Sequence, residues 1–133
     1  MRHAIYAIAA TADAVRGALR HLSRAGYRSD EISCLARQPD PSLAQRWART
    51  AWKAGVGAIL ACGPLAQRAD AVAETLAAVL PAPAAPRCED ALARGGVVIA
   101  VHTDNAFELE PLAELLAEGG CLRVAVTREA AAA

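Results

Sequence analysis

The side chains able to do chemistry in this 133-residue chain are few: three histidines, four cysteines and dispersed acids. His102 closes an apolar run and is followed at once by Thr103 and Asp104, where a strand end is expected to meet a helix start. A helix N-terminus favours anions, so His102, Thr103 and Asp104 form a candidate ligand-binding group. His3 opens the strand expected to neighbour this one, and an approach of His3 to His102 across the sheet would add a second imidazole. Cys34 or Cys62 would complete such a site. A metal centre needs three or four converging ligands, and the spacing shows no convergence, so no metal is assigned. His21 falls on the charged face of its helix.

Cys34, Cys62, Cys88 and Cys121 are widely spaced, without a C-x-x-C and without a nearby histidine pair. They read as small buried hydrophobes, with a redox pair or a site assembled across the fold as the alternative. No nucleophile elbow, phosphate loop or zinc motif occurs. Gly55-x-Gly57 does not continue to a third glycine, and Gly95-Gly96 and Gly119-Gly120 are helix stops. No catalytic residue and no cofactor is expected.

Two charge stripes are more informative. Arg16, Arg20 and Arg24 recur every four residues on one helix, and Glu110, Glu114 and Glu118 do so on another. Neighbouring helices would pair them at the surface, where each pair is worth at most about 1 kcal/mol. Alternatively they point outward and meet the opposite stripe of a second copy. A helix over residues 43–54 has Leu43, Trp47, Thr50, Ala51 and Ala54 as its apolar stripe. That leaves Trp52 on another side with Gln45 and Arg49. An exposed Trp beside Arg suits an interface, can stack on a nucleobase, or is covered internally. Tyr6, on a sheet face bare of helices, is the other candidate contact.

The whole-chain balance narrows the partners. Net charge is zero, which argues against strong binding to a polyanion, so no nucleic-acid partner is expected. Thirteen Arg to one Lys, with 35 Ala, reads as GC-rich bacterial coding bias. Residues 1–53 carry nine basic residues against four acids, and residues 54–133 carry five against ten, a charge dipole. Apolar residues make up 55%, but small ones dominate, so the core is expected to be shallow and helped by oligomerisation, a homodimer. No leader pattern and no apolar run of about 18 residues is visible, so neither membrane contact nor export is expected, and the location reads as cytoplasmic.

The elements that position these residues are well punctuated. Residues 3–9 read as a central strand, apolar on both faces. Thr11 caps a helix that runs to Ala25 and stops at Gly26, and residues 32–36 are a second strand. An offset of 93 residues repeats the unit: Ile5-Tyr6-Ala7-Ile8 falls on Val98-Ile99-Ala100-Val101, Thr11 on Asp104, Leu19 on Leu112, Leu22 on Leu115, and Gly26 on Gly119. Pro111 implies a late helix start with the proline in its first turn. The last strand covers residues 122–127. Between the halves, residues 56–62 read as a short strand, Pro64 opens a helix to Leu80, residues 81–86 are a stiff linker, and residues 87–94 are a short helix.

Together these describe an α+β, ferredoxin-like double βαβ sandwich, an antiparallel sheet with helices mainly on one face. An inserted helical segment would add a possible fifth strand. The expected boundaries are one domain over 1–128, with halves 3–36 and 96–128 around an insertion at 37–95, then a disordered tail, 129–133.

Several stretches carry a family resemblance: His3-Ala4-Ile5-Tyr6-Ala7, Gly26-Tyr27-Arg28-Ser29-Asp30-Glu31-Ile32-Ser33-Cys34-Leu35, Gly57-Ala58-Ile59-Leu60-Ala61-Cys62-Gly63-Pro64-Leu65, and Cys88-Glu89-Asp90-Ala91-Leu92-Ala93-Arg94-Gly95-Gly96-Val97-Val98-Ile99-Ala100-Val101-His102. In this order they resemble a family of bacterial general stress proteins, including heat- and low-temperature-induced members. The family's long Gly- and Ala-rich hydrophobic hairpin is short here and carries Arg46, Arg49 and Lys53, which removes the feature that would suggest membrane contact. The resemblance implies a bacterial, stress-associated setting and supplies no catalytic residues. The expected function is a non-enzymatic domain acting through self-association or a protein partner; a small-molecule or metal-sensing regulatory domain is the alternative.

Overall fold

The computed structural model describes residues 2–36, 53–54, 60–62 and 84–129. Strand β1 (Arg2–Ala9) leads to helix α1 (Ala12–Arg24) and then to β2 (Ile32–Ala36). The short strands β3 (Lys53–Ala54) and β4 (Leu60–Cys62) follow, then α2 (Ala84–Ala93), β5 (Val97–Thr103), α3 (Leu109–Glu118) and β6 (Leu122–Glu129). The chain is α+β, built on one antiparallel sheet ordered β3-β4-β2-β5-β1-β6. Four strands, β2, β5, β1 and β6, make its body. No helix among the described residues is long and apolar enough to cross a membrane.

The sheet is covered on both faces. Ile5, Ala7, Ile99, Val101, Ile32 and Cys34 point to one face, where they pack against Val15, Leu19 and Leu22 of α1 and Leu112 and Leu116 of α3. Each buried leucine there contributes about 2 kcal/mol of transfer free energy. Tyr6, Leu35, Val98 and Ala100 point to the other face, under Ala84, Ala85, Cys88 and Leu92 of α2. The expected bare sheet face is therefore corrected: Tyr6 is 1% exposed.

The helix ends follow local rules. Thr11 Oγ1 accepts the Ala14 amide at 3.1 Å, as a cap should. Pro111 sits third in α3, after a 3-10 turn over Ala106–Glu108. Pro86 sits third in α2, so the expected linker over 81–86 is helical from Ala84 on. First-turn amides have no partner four residues back, which lets proline stand there without loss. Two further expectations shift. Lys53 and Ala54 are strand, so a helix over 43–54 cannot reach its expected end; the rest of that helix, and the one after Pro64, lie outside the described residues. Leu60–Cys62 pairs with β2, so the short strand expected at 56–62 is present over those three residues. Glu129, expected to open the tail, pairs with Arg2.

The repeat is real, but its period is 94 residues, one more than the sequence alignment suggests. Ile5 and Ile99 share a face, as do Tyr6 and Ala100. The caps Thr11 and Asn105 correspond, and so do the buried pairs Ala18/Leu112 and Leu22/Leu116. The helix ends match bond for bond. Gly26 N–H donates to Ser23 and Gly120 N–H to Ala117, while Tyr27 N–H donates to Leu22 and Cys121 N–H to Leu116. Each of these two ends carries a left-handed glycine, Gly26 (φ 94°) and Gly120 (φ 97°). An odd offset would place every strand residue on the wrong face.

Helices α1 and α3 run antiparallel and touch at glycines. A Cβ on Gly119 would lie 2.5 Å from the Ala18 nitrogen, and one on Gly17 would lie 2.7 Å from the Gly119 oxygen. Gly119→Ala is expected to cost about 3 kcal/mol in urea unfolding, because backbone must move to admit the methyl. Gly26→Ala, with open space around it but a left-handed backbone, is expected to cost only about 1 kcal/mol.

Candidate functional site

The ladder separates the residues expected to bind a ligand. His3 lies opposite Thr103, and Ala4 lies opposite His102. Directly opposed residues share a face, so His3 and Thr103 belong to the face of α1 and α3, and His102 belongs to the face of α2. The proposed His3–His102 approach is thus excluded by pleat parity. His102 is 1% exposed and shares a 2.7 Å hydrogen bond between Nε2 and Ser33 Oγ. Ser33 is fully buried, so the pair satisfies polar groups that would otherwise be costly to bury. Asp104 is exposed, and the cap is its neighbour Asn105, which accepts the Phe107 amide at 3.0 Å. Among the described residues, no three His, Cys, Asp or Glu side chains sit close enough to hold a metal.

Thr103 takes part in a different group. Its Oγ1 accepts the Asn105 amide at 3.1 Å and donates to Glu108 Oε2 at 2.6 Å. Tyr27 Oη donates to the same carboxylate oxygen at 3.1 Å. Tyr27 follows α1, Thr103 ends β5 and Glu108 precedes α3, so one carboxylate ties three elements together. Burial first, and then the Glu108 hydrogen bond and charge, push the Tyr27 phenol up to about 12. Sequence patterns did not mark Ser33, Tyr27 or Glu108. The one available signal was Ser33, a polar residue inside an otherwise apolar strand.

The charge stripes do not simply zip together. Arg16 pairs with Asp13 on its own helix. Between the helices, His21 Nε2 lies 3.9 Å from Glu118 Oε2, and His21 Nδ1 donates to Gly17 O at 2.7 Å. Arg20, Arg24, Glu110 and Glu114 are exposed. Arg49 and Trp52 lie outside the described residues.

The open surface is a strand edge. Among the described residues β6 pairs with β1 alone, so its outer row of backbone groups faces away from the sheet. Leu122 is 58% exposed and Val126 44% on this eight-residue strand. Phe107, 91% exposed, sits just beyond the end of β5. A second opening, a cleft of about 280 Å³, lies between α2 and the strand ends, with Arg87, Asp90 and Arg94 on its rim and Ile8 and Leu122 in its wall. Arg94 Nε lies 3.3 Å from Asp90 Oδ2. Compared with known proteins, the chain matches no family model, no curated protein and no solved structure.

Two thiols are held in the neutral form. Burial pushes Cys88 and Cys121 up to about 11; Cys121 Sγ lies 3.7 Å from Ala14 O, which accepts its weak hydrogen bond. All three shifts are upward, so the stability these groups contribute is complete below their unfolded values of 9.0 and 10.0 and is lost as pH rises through the folded ones. Urea midpoints are therefore expected to fall progressively above pH 9. Cys121→Ala should flatten the fall up to about pH 11; Glu108→Gln, which removes the lesser causes and leaves burial, should flatten it in part up to about pH 12. An unchanged slope in either variant would contradict the assignment.

Proposed function

We propose that this chain is a non-enzymatic, stress-associated domain that works by self-association, two copies joining through their β6 edges. The observation that carries this reading is the eight-residue edge strand with Leu122 and Val126 exposed on it. An uncovered edge of that length is a template for another strand. Joining β6 to β6 in antiparallel fashion consumes both edges and gives a closed two-fold pair. The opposite end of the described sheet is the two-residue β3, a shorter described edge than β6. Zero net charge leaves no overall Coulombic penalty to bringing two copies together.

The strand order β6-β1-β5-β2, with α1 and α3 on one face, supports reading the body as ferredoxin-like. The stress setting rests on the sequence resemblance. Burial of the Cys88 and Cys121 thiols in the neutral form speaks against either as a nucleophile.

Light scattering at high micromolar concentration is expected to give the mass of two 13.8 kDa chains. Val126→Lys, a substitution on the exposed edge, should return the monomer without loss of helicity. A wild-type monomer across the same concentrations would overturn the proposal.

The cleft beside α2 favours a second reading, a sensor of small amphipathic anions. Asp90 pairs with Arg94, and Arg87 lines the same cleft as Ile8 and Leu122, so a guanidinium and an apolar wall share one opening. A medium-chain carboxylate matches that combination, head to guanidinium and tail to wall. Octanoate should shift the amide resonances of Arg87, Gly96 and Leu122 saturably, and Arg87→Gln should weaken it roughly tenfold. Equal binding of an octyl trimethylammonium ion would remove this reading.

A further inference from the structure

Of the four cysteines, two meet in the sheet. Cys34 of β2 stands directly opposite Cys62 of β4 in an antiparallel ladder. Directly opposed residues in such a ladder have Cα atoms about 4.5–5.5 Å apart, inside the range of about 4.4–6.8 Å that a disulfide spans. The other two thiols have no comparable neighbour. Cys88 belongs to α2 on the opposite face from Cys34. Cys121 immediately precedes β6, three strand positions from β2, a separation of roughly 14 Å. Both have thiols that burial pushes up to about 11; Cys34 is fully enclosed as well, so it is the cross-strand opposition, not exposure, that singles out Cys34 and Cys62.

We infer that Cys34 and Cys62 form a reversible redox pair, oxidised to a cross-strand disulfide by low-molecular-weight disulfides. The thiolate of one cysteine attacks the reagent's disulfide, forming a mixed disulfide and expelling one reagent thiol. The second protein thiolate then attacks the protein sulfur of that mixed disulfide and expels the second reagent thiol. The protein gives up two protons and two electrons, and the reagent disulfide takes them up as two thiols. The bond would tie β4 to β2 and close a loop over residues 34–62, the part of the chain that departs most from the two repeated halves. It lies at the far end of the sheet from β6, so it stands apart from the self-association proposed above.

The test is oxidation of the native, full-length protein with oxidised glutathione, followed by thiol counting after denaturation, intact mass and peptide mapping. Two of the four thiols are expected to disappear, with a loss of about 2 Da and one linked peptide pair joining Cys34 to Cys62. The oxidised form should melt roughly 10 °C above the reduced form. Cys62→Ala should abolish both the link and the shift while leaving the reduced melting temperature close to wild type. Persistence of all four thiols in the native protein, or a link that maps to Cys88 or Cys121, would overturn the inference.

Discussion

Two helices can lie against one sheet face at ordinary spacing or at close range, and here α1 and α3 take the close option. Where Gly17 and Ala18 meet Gly119, the two backbones leave no room for a Cβ on either glycine. That approach draws Gly120 against Ala14 and Cys121 under the Ala14 carbonyl. The opposite ends of the helix pair are then joined by Glu108, which receives Tyr27 from one half and Thr103 from the other. With the pair fixed at both ends, Leu22, Leu112 and Leu116 are fully enclosed. The strands beneath have no freedom to change register, because a one-residue slip would turn Ile5, Ile99 and Val101 away from the helices.

Much of this was legible in the chain itself. The strand–helix–strand halves, the Thr11 cap, the Gly26 stop and the late start at Pro111 follow from short-range rules that act on neighbouring residues. The repeat was legible too, but its period was not. Ala-rich strands that are apolar on both faces carry no alternation, so Ile5-Tyr6-Ala7-Ile8 aligns as well with Val98 onward as with Ile99 onward. The 3-10 turn before α3 hides the true cap, and Asp104 looks as suitable as Asn105. Only pairing resolves the parity, since His3 must stand opposite Thr103 for the core to close.

The candidate site was less legible, for a related reason. His102, Thr103 and Asp104 are adjacent in sequence, and adjacency on a strand means opposite faces rather than a common site. The residues that do meet, Ser33 with His102 and Tyr27 with Glu108 and Thr103, are separated by 69 and 81 positions or joined through a turn. Periodicity cannot report such pairs. Tyr6 was misplaced because three prolines, Pro81, Pro83 and Pro86, made residues 81–86 look like a linker, whereas Pro86 occupies a helical position that needs no amide.

Helix α2 changes what the molecule has to offer. A sheet with one bare face would associate face to face, burying Tyr6 in the contact. With Ala84, Ala85, Cys88 and Leu92 already over Tyr6, that surface is spent inside the chain. The apolar surface that remains is displaced to the rim of α2 and to β6, where Leu122 belongs to both the cleft wall and the edge strand. Backbone pairing at β6 needs no deep apolar patch, because its hydrogen bonds supply direction and its few apolar side chains need only exclude water. An edge is thus the surface that the proposed association can use, because backbone hydrogen bonds rather than a broad apolar face would carry it.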